Sequence, residues 1–277
     1  MKAIYLIKHG DADEAFEIRE TPMPVPRPGE VLIKVEGFGL NFADVMARRG
    51  MYKEAPNVPG LIGYDVCGTI EMVGSSVKHF AEGDRVAAMT RFGGYAEYAL
   101  TDERAVTKIP NNINIAEATT LTTQYCTAYY GAAEMINLHP GDRVLIHSAA
   151  GGVGTGLMQY ALWKGCEVFA TTGSDSKVEL LKAQKAHHVI NTRTVDFDDY
   201  IDEQTKGDGV DVIFDRGGRR LHPTWIFHSC SGWKNCLLWG REHDLCYQYF
   251  FYRPHCASIR HLSPCSIYDE FKKPDWG

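Results

Sequence analysis

Three glycines, Gly151, Gly152 and Gly154, fall within the stretch SAAGGVGTG at residues 148–156. Glycines at such spacing let a phosphate group approach the backbone N–H groups at the positive end of a helix. The preceding residues RVLIH are typical of a β-strand, and the following residues LMQYALWKG are typical of a helix. A packing turn explains one glycine but not three, so we predict that this turn binds the pyrophosphate of a dinucleotide. The residues assigned to this site are Ala150, Gly151, Gly152, Val153 and Gly154.

The end of the next predicted strand, EVFATT at residues 167–172, indicates which dinucleotide is bound. Sites for NAD place Asp or Glu at this strand end, about 20 residues after the glycine turn, to hold the ribose 2′-hydroxyl. Here Ser174 and Lys177 follow, and a hydroxyl and an ammonium group suit the 2′-phosphate of NADP(H). Asp175 is the opposing observation, although its place one residue later predicts a cap of the helix SKVELLKAQ. NADP(H) is therefore favoured over NAD, and an ordinary solvated lysine is the alternative for Lys177.

Strands and helices alternate from Ala116 to Asp215. The strand-like runs RVLIH, EVFATT, HVIN and VDVIFD are separated by the helix-like runs GVGTGLMQYALWKG, SDSKVELLKAQ and DFDDYIDEQT. This alternation predicts βαβ units and a parallel sheet. Before it, short β-branched runs up to about residue 110 predict a mostly antiparallel β domain. We therefore predict an α/β protein with one domain over residues 1–115 and a second over residues 116–215.

The net charge and the lengths of the apolar runs indicate which kinds of molecule the chain can bind. The chain of 277 residues carries a net charge of −6, which disfavours a nucleic-acid surface because such surfaces need clustered Lys and Arg. No apolar run approaches the roughly 18 residues of a transmembrane helix, and the first residues, MKAIYLIKHGDADEAFE, do not resemble a signal peptide. We expect a cytoplasmic protein that acts on a small molecule, without a nucleic-acid partner or a membrane span.

Five segments resemble the medium-chain dehydrogenase/reductase superfamily, and among its branches the zinc-free quinone oxidoreductases, which include homologues of the synaptic-vesicle amine-transport protein. In chain order the segments are GFGLNFADVMARRGMY (37–52), VPGLIGYDVCGTIEMVG (58–74), EGDRVAAM (82–89), GGYAEYALT (93–101) and HPGDRVLIHSAAGGVG (139–154). The resemblance implies a GroES-like catalytic domain followed by a Rossmann domain, a doubly wound parallel sheet, that binds NADP(H). It also implies a homodimer.

Zinc-dependent members of this superfamily hold a catalytic zinc with a Cys and with a His that stands in a Gly-His-Glu sequence. In this chain Asn41 is similar in position to the Cys, and Gly63, Tyr64 and Asp65 are similar in position to the Gly-His-Glu. An amide and a phenol are poor substitutes for the thiolate and imidazole that zinc prefers. The four-Cys segment of a structural zinc is also missing, since Met89 is followed directly by TRFGGYAEY. No metal site is expected.

The resemblance further implies which residues serve hydride transfer to a quinone or a conjugated carbonyl. Asn41 and Tyr52 would line the nicotinamide end of the cofactor, and Thr127 would contact the nicotinamide. Without zinc, hydrogen bonds must polarise the oxygen of the acceptor, and Tyr52 is the expected donor. The alternative for Tyr52 is an aromatic ring that only shapes the pocket. Asp44 is expected to brace its helix, and His147 is expected to be a hydrogen-bonded strand residue.

The composition changes abruptly near Arg216. Five of the eight Cys and four of the five Trp lie in residues 216–277, which contain one Ala and no Val. The family's fifth sheet strand typically resembles PGGKIVFYG, whereas residues 232–240 read GWKNCLLWG. Read one nucleotide later, the codons for this stretch permit G-K-I-V-F-Y-G. We therefore interpret residues 216–277 as an out-of-frame, non-native tail. The alternative is a divergent Cys-rich terminus, although it contains no C-x₂-C metal-binding pair.

Such a tail would leave the Rossmann sheet incomplete, with an uncovered edge after its fourth strand. It would also replace the strand that forms the family's homodimer, so dimerisation of this chain stays open. The sequence therefore leaves two alternative functions open. One is an NADPH-dependent, zinc-independent oxidoreductase that transfers hydride to a quinone or a conjugated carbonyl. The other is a catalytically inactive truncated product, at most a nucleotide-binding or interaction protein.

Overall fold

The computed structural model describes residues 1–215, 235–242 and 245–252, and it divides the chain into two compact units, Met1–Cys126 and Thr127–Gly277. The first unit is built on two antiparallel sheets. Its strands are β1 (Lys2–Leu6), β2 (Phe16–Glu20), β3 (Glu30–Phe38), β4 (Gly60–Leu61), β5 (Asp65–Val73), β6 (Arg85–Met89), β7 (Tyr98–Asp102) and β8 (Val106–Lys108). The strand orders are β2-β1-β4 and β7-β3-β5-β6-β8.

Alternation of side chains explains why this unit forms sheets. Val31 and Ile33 of β3 pack with Val66 of β5 and Val86 of β6 in one buried cluster. Residues two apart point to the same face of a strand, and the intervening Leu32 and Cys67 are also buried, so this sheet is covered on both faces at this point. Two short helices, α1 (Ala12–Ala15) and α2 (Phe42–Arg48), and a 3₁₀ turn (Glu103–Ala105) connect these strands. The predicted antiparallel β domain and the helix within FADVMARRG are confirmed.

A helical stretch leads from the first unit into the second. It consists of α3 (Ile115–Thr120), a π-helical segment (Leu121–Tyr125), α4 (Cys126–Tyr129) and a second π-helical segment (Tyr130–Met135). Asn114 and Glu117 cap the start of α3 reciprocally, each side chain accepting from the other residue's backbone N–H. Ala118 packs against Cys67 in the core of the first unit. The first compact unit therefore includes α3, whereas the sequence analysis placed this helix in the second domain.

The second unit contains a six-stranded sheet of order β11-β10-β9-β12-β13-β14. Its strands are β9 (Arg143–Ile146), β10 (Glu167–Thr172), β11 (His188–Asn191), β12 (Val212–Asp215), β13 (Asn235–Glu242) and β14 (Leu245–Tyr252), and its helices are α5 (Gly152–Lys164), α6 (Asp175–Ala183) and α7 (Phe197–Thr205). All pairs up to β13 are parallel. Val144 of β9 lies in a cluster with Met158 of α5, whereas Leu145 lies with Ile201 of α7. Helices thus cover both faces of the sheet, as the Rossmann prediction requires.

The strands after Asp215 test the prediction that the edge of β12 is uncovered. The predicted uncovered edge on β12 is wrong, because β13 pairs with it from Val212 and Asn235 to Asp215 and Leu238. However, β14 pairs antiparallel with β13, and only two residues separate the two strands in the sequence. A parallel crossover needs a dozen or more residues, so no βαβ unit joins these two described strands. The other residues of the predicted tail lie outside the described residues.

In the part of the chain that the structure describes, no helix is both long enough and apolar enough to cross a bilayer.

Candidate functional site

The predicted phosphate-binding turn lies at the carboxyl end of β9, and Gly151 is the N-cap residue of α5. The first hydrogen bond of the helix runs from Thr155 N to Gly151 O, at 2.8 Å. Ahead of it, the N–H groups of Gly152, Val153 and Gly154 donate to no acceptor among the described residues. Free N–H groups at the start of a helix carry the positive end of its dipole and bind anions.

The three glycines have different roles. A Cβ atom on Gly154 would lie 2.5 Å from Ser148 O and 2.9 Å from Ala149 O, which is too close for any side chain. A Cβ atom on Gly151 would meet only Ser148 O, at 3.2 Å, and Gly152 is exposed. Gly154 is therefore required for the close approach of helix and turn, whereas Gly151 and Gly152 leave the outer face of the turn open.

Thr171 of β10 fastens the turn to the sheet. Its backbone carbonyl accepts from Ala149 N at 3.0 Å, and its hydroxyl lies 3.3 Å from Ser148 N and 3.1 Å from His147 Nδ1. His147 also donates its backbone N–H to Phe214 O at 2.9 Å. The prediction of a hydrogen-bonded His147 is confirmed, although the residue lies one position past the end of β9. These contacts hold the turn in one geometry before any ligand arrives.

The end of β10 differs in one detail from the sequence-based prediction. Ser174, not Asp175, occupies the N-cap position of α6, so the predicted cap by Asp175 is wrong. Asp175 is the first helical residue, and its carboxylate accepts a hydrogen bond from the side chain of Asn191. The hydroxyl oxygens of Ser174 and Ser176 are 2.9 Å apart. Lys177 is exposed, and its ammonium group forms no ion pair with a described residue.

Sequence reasoning overlooked Arg193, which follows β11. Its Nε lies 3.9 Å from the position that a Cβ atom would take on Gly173. The parallel pairing of Thr172 with Asn191 brings the ends of β10 and β11 together, and with them Gly173 and Arg193. The available signal was the position of Arg193 just after HVIN, since the carboxyl ends of neighbouring parallel strands share one edge of the sheet.

Asn41 is buried in the first unit within a network of polar side chains. Its Nδ2 donates to Asp65 Oδ1 at 3.1 Å, and its Oδ1 accepts from Gln124 Nε2 at 3.4 Å. Asp65 is fully buried and also accepts from the hydroxyl of Thr122 at 3.2 Å. Thr122 and Gln124 lie in the π-helical segment that follows α3, a distortion that often marks functional positions.

Asp44 joins this network from the first turn of α2. Its Oδ2 accepts from Asn41 N at 2.9 Å, so the prediction that Asp44 braces its helix is confirmed. Burial raises the pKa of the Asp44 carboxyl to about 6, and the nearby Asp65 carboxylate acts in the same direction. Hydrogen bonds from Asn41 and Tyr95 oppose this rise. The folded state therefore favours the protonated form of Asp44 compared with the unfolded chain.

We expect the raised pKa of Asp44 to make the unfolding free energy of the protein depend on pH. The pKa of Asp44 is higher in the folded state, so ionisation destabilises the fold as the pH rises from about 4 to about 6. Over that range wild type should lose about 2 to 3 kcal/mol of unfolding free energy relative to Asp44→Asn, with no further change above it. Urea unfolding at several pH values measures this difference. Asp13→Asn, at an exposed position of α1, is the matched control, and parallel curves for wild type and Asp44→Asn would contradict the expectation.

Tyr52 contacts the same network through Tyr64. The two rings meet edge to face, with centroids 6.0 Å apart. Burial raises the pKa of Tyr64 far above its ordinary value, and Tyr52, Asp44 and Glu54 add to the shift. Tyr64 therefore stays protonated at neutral pH and can act as a hydrogen-bond donor. Tyr52 itself is half-buried and packs against the hydrophobic cluster that contains Leu6, Ala15, Ala47, Ile62 and Tyr95.

The structure gathers the predicted site residues into two groups. Asn41 and Tyr52 belong to the network of the first unit, together with Asp44 and Tyr64. Ala150–Gly154, Ser174 and Lys177 lie at the carboxyl edge of the parallel sheet in the second unit. Thr127 is half-buried in α4, at the start of the second unit. Among the described residues, no three His, Cys, Asp or Glu side chains are arranged to hold a metal ion.

Comparison with known families and proteins gives consistent matches to both units. Residues 27–111 match the family described as alcohol dehydrogenase GroES-like domain, and residues 152–223 match the family described as zinc-binding dehydrogenase. Quinone oxidoreductase of Homo sapiens is 34% identical over 217 residues, which cover 78% of this chain and 66% of the human protein. A mycocerosic acid synthase-like polyketide synthase of Mycobacterium tuberculosis (strain ATCC 25618 / H37Rv) is 36% identical over 188 residues, 68% of this chain and 9% of that protein. The chain thus spans less than two thirds of the length of these relatives.

Solved structures show the same likeness. The CurK enoyl reductase is 32% identical and superposes with a TM-score of 0.76, covering 87% of this chain and 74% of that one. Quinone oxidoreductase of Escherichia coli, solved in complex with NADPH, is 29% identical with a TM-score of 0.77, covering 86% of this chain and 72% of that one.

Proposed function

The chain belongs to the medium-chain dehydrogenase/reductase superfamily, in its quinone oxidoreductase branch, and from this premise we propose NADPH-dependent, zinc-independent reduction of a quinone or a conjugated carbonyl. The observation that carries the proposal is the turn at Gly151–Gly154. It combines free N–H groups at the start of a helix with a glycine that no other residue can replace. Such a turn fits the pyrophosphate of a dinucleotide.

The preference for NADPH rests on the groups at the end of β10. Ser174 and Lys177 offer a hydroxyl and a cation for a 2′-phosphate. The nearest acid, Asp175, already accepts a hydrogen bond at Oδ1 from the Asn191 amide. The Escherichia coli quinone oxidoreductase, solved in complex with NADPH, has the same fold. When bound, NADPH supplies the hydride, and the protein supplies binding, orientation and electrostatics.

The side chains of this protein would then act on the acceptor. Tyr52 donates a hydrogen bond to the carbonyl oxygen and stabilises the negative charge that develops there. Asn41, held by Asp65 and Gln124, lines the nicotinamide end, and Thr127 contacts the nicotinamide. Both polar groups of the Asn41 amide are already engaged in hydrogen bonds, which supports an enzyme that works without zinc at this position.

The pairing of β13 with β14 supports the second candidate function, a catalytically inactive chain. Among the described residues β13 and β14 pair antiparallel, whereas the second half of a doubly wound sheet is built from parallel strands joined by crossovers. A dinucleotide binds across both halves of such a sheet. The 277-residue chain would then be catalytically inactive, at most a nucleotide-binding or interaction protein. We further propose a cytoplasmic location, a small-molecule substrate, and a homodimer only where the tail is replaced by the family's usual segment.

Oxidation of NADPH in the presence of a quinone or an enone tests the proposed activity. The protein for this assay is produced from the gene with its reading frame restored after Asp215. We expect turnover with NADPH that exceeds turnover with NADH and survives treatment with EDTA. Stoichiometric zinc by elemental analysis, or activity abolished by the chelator, would refute zinc independence. Equal turnover with the two cofactors would refute the NADPH preference.

Tyr52→Phe tests the proposed donor in the same assay. Loss of one hydrogen bond to the developing oxyanion should lower kcat by about 100-fold and leave the affinity for NADPH unchanged. Tyr98→Phe, on β7, is the control for removing a tyrosine hydroxyl. If Tyr52→Phe turned over like wild type, Tyr52 would only shape the pocket, which is the alternative reading of this residue.

A further inference from the structure

We propose that a proline-rich segment of one copy of this chain docks on an aromatic surface of a second copy. The proline segment comprises residues 21–28, TPMPVPRP. The aromatic ridge comprises the side chains of Tyr129, Tyr160 and Trp163. The contact uses neither the glycine turn nor residues 216–277, so it goes beyond the proposed activity and is separate from the homodimer proposed above.

Alternating prolines restrict the conformation of the proline segment. Prolines occupy positions 22, 24, 26 and 28. Each proline holds its own φ near roughly −65°, and its ring keeps the preceding residue out of the helical region. Residues 22–26 form no backbone–backbone hydrogen bond with a described residue. Extended backbone without internal hydrogen bonds is the polyproline II helix.

One face of the proline segment is apolar and exposed. A polyproline II helix has three residues per turn, so Pro22, Val25 and Pro28 lie on one face. All three are exposed, with 76% of Val25 accessible. The N-terminal amine donates to Thr21 O at 2.8 Å, and Ser76 N donates to Pro28 O at 2.7 Å, so both ends of the segment are held. A segment that is already ordered loses little conformational entropy when it binds.

The aromatic ridge lies on α4 and α5. The rings of Tyr129 and Tyr160 meet edge to face with centroids 5.8 Å apart, and the centroid of Trp163 lies 5.6 Å from that of Tyr160. Tyr160 packs against a hydrophobic core cluster, whereas 53% of Tyr129 and 76% of Trp163 are exposed. Single exposed apolar residues are normal on a protein surface, but a contiguous aromatic patch is typical of a binding surface.

The chemistry of the two surfaces matches. Surface aromatic rings are the groups on which polyproline II segments dock, since the segment is extended before it binds and its apolar side chains pack against the rings. This chain carries both a polyproline II segment and an aromatic surface. A second copy of the chain is therefore the occupant that the described residues themselves provide.

Charges beside the two surfaces have opposite signs. The Lys164 ammonium group lies 5.5 Å from the ring centroid of Trp163 and 5.8 Å from that of Tyr160. Glu20 is exposed and directly precedes the proline segment. Among the described residues neither Lys164 nor Glu20 forms an ion pair. Docking of Glu20 beside Lys164 would set the direction of the segment on the ridge, because the cation of the segment, Arg27, lies at its other end.

Sedimentation of the full 277-residue chain over a range of concentrations tests the contact. We expect the mass to rise in the micromolar range and to continue past the dimer, because two different surfaces meet. Trp163→Ala removes the most exposed ring, and Val25→Asp places a charge in the centre of the apolar face. Each should weaken association by at least about tenfold, with an unchanged circular dichroism spectrum. Ile18→Ser, at a position 70% exposed on β2, is the matched control and should associate like wild type.

Mixing the two variants identifies which surfaces meet. Trp163→Ala keeps an intact proline segment and Val25→Asp keeps an intact ridge, so an equal mixture should form dimers at concentrations where neither variant associates alone. Association of Val25→Asp alone, without a gain in the mixture, would overturn the proposal in favour of a contact between two ridges. Wild type that stays monomeric, or an Ile18→Ser control that is weakened as much as the two variants, would overturn it as well.

Reversal of the two charges tests the assigned direction of the segment. Lys164→Glu and Glu20→Lys should each weaken association by about two- to fivefold, since each places like charges together. The double variant restores opposite charges and should associate more strongly than either single variant. A double variant that is no stronger than the single variants would overturn the pairing of Glu20 with Lys164.

Discussion

Gly154→Val should weaken binding of NADPH by about 100-fold. The added Cβ would meet the backbone oxygens of Ser148 and Ala149 at 2.5 and 2.9 Å, and neither atom can move independently of the turn. The start of α5 must therefore shift, which costs about 1 to 3 kcal/mol and displaces the N–H groups that face the phosphates. Fluorescence titration with NADPH measures the loss, and circular dichroism shows whether the fold persists.

Two further glycine variants make this prediction specific. Gly151→Ala meets only Ser148 O at 3.2 Å, so we expect an intermediate loss of affinity. At Gly29 an added Cβ would meet nothing within 4 Å, and Gly29→Ala should bind NADPH like wild type. A Gly154→Val protein that is folded and binds NADPH as tightly as wild type would contradict the assigned role of the turn.

Restoring the reading frame after Asp215 should convert a chain without measurable turnover into an active reductase. Within the described residues of the 277-residue chain, β13 pairs with β12 in parallel, but β14 pairs with β13 antiparallel and so does not form a second βαβ half with it. The pocket for the nicotinamide half of the cofactor would then be incomplete, because a dinucleotide spans both halves of the sheet. Steady-state oxidation of NADPH by the two proteins, at equal concentration, measures the difference.

The transcript provides an independent test of the same prediction. Sequencing across the codons for residues 214–222 should reveal the insertion or deletion that shifts the frame. An unshifted transcript, together with a 277-residue protein that reduces quinones at ordinary rates, would contradict the interpretation of residues 216–277 as an out-of-frame tail.

Much of the fold could be predicted because its signals are local. The glycine turn, the strand before it and the helix after it form a single stretch from Arg143 to Lys164. Glycine spacing and side-chain periodicity act over a few residues, so they can be interpreted without knowing what packs against them. The capping role of Asp44 was also predictable, because its partner, Asn41, is three residues away.

Contacts between distant residues needed the tertiary structure. The pairing of Asn41 with Gln124 and of Asp65 with Thr122 depends on where the π-helical segment packs against the first unit, which no periodicity indicates. Asp175 could be expected to cap its helix from sequence alone, but the distant Asn191 amide engages its carboxylate instead. Local propensity predicts which residues form a helix or a strand, whereas tertiary packing decides which side chains form hydrogen bonds with each other.

The sequence by itself determined the chemistry that the chain can offer: a glycine turn for a pyrophosphate, a hydroxyl and a cation after the second strand, and an amide and a phenol in place of zinc ligands. Only the tertiary structure decided that Arg193 stands beside Gly173, that β13 covers the edge of β12, and that burial raises the pKa of Asp44 to about 6. The physical reason is the same in each case. Parallel strand pairing and burial bring together residues that are far apart in the chain. The interaction energies of these residues depend on spatial neighbours that cannot be identified from the local sequence.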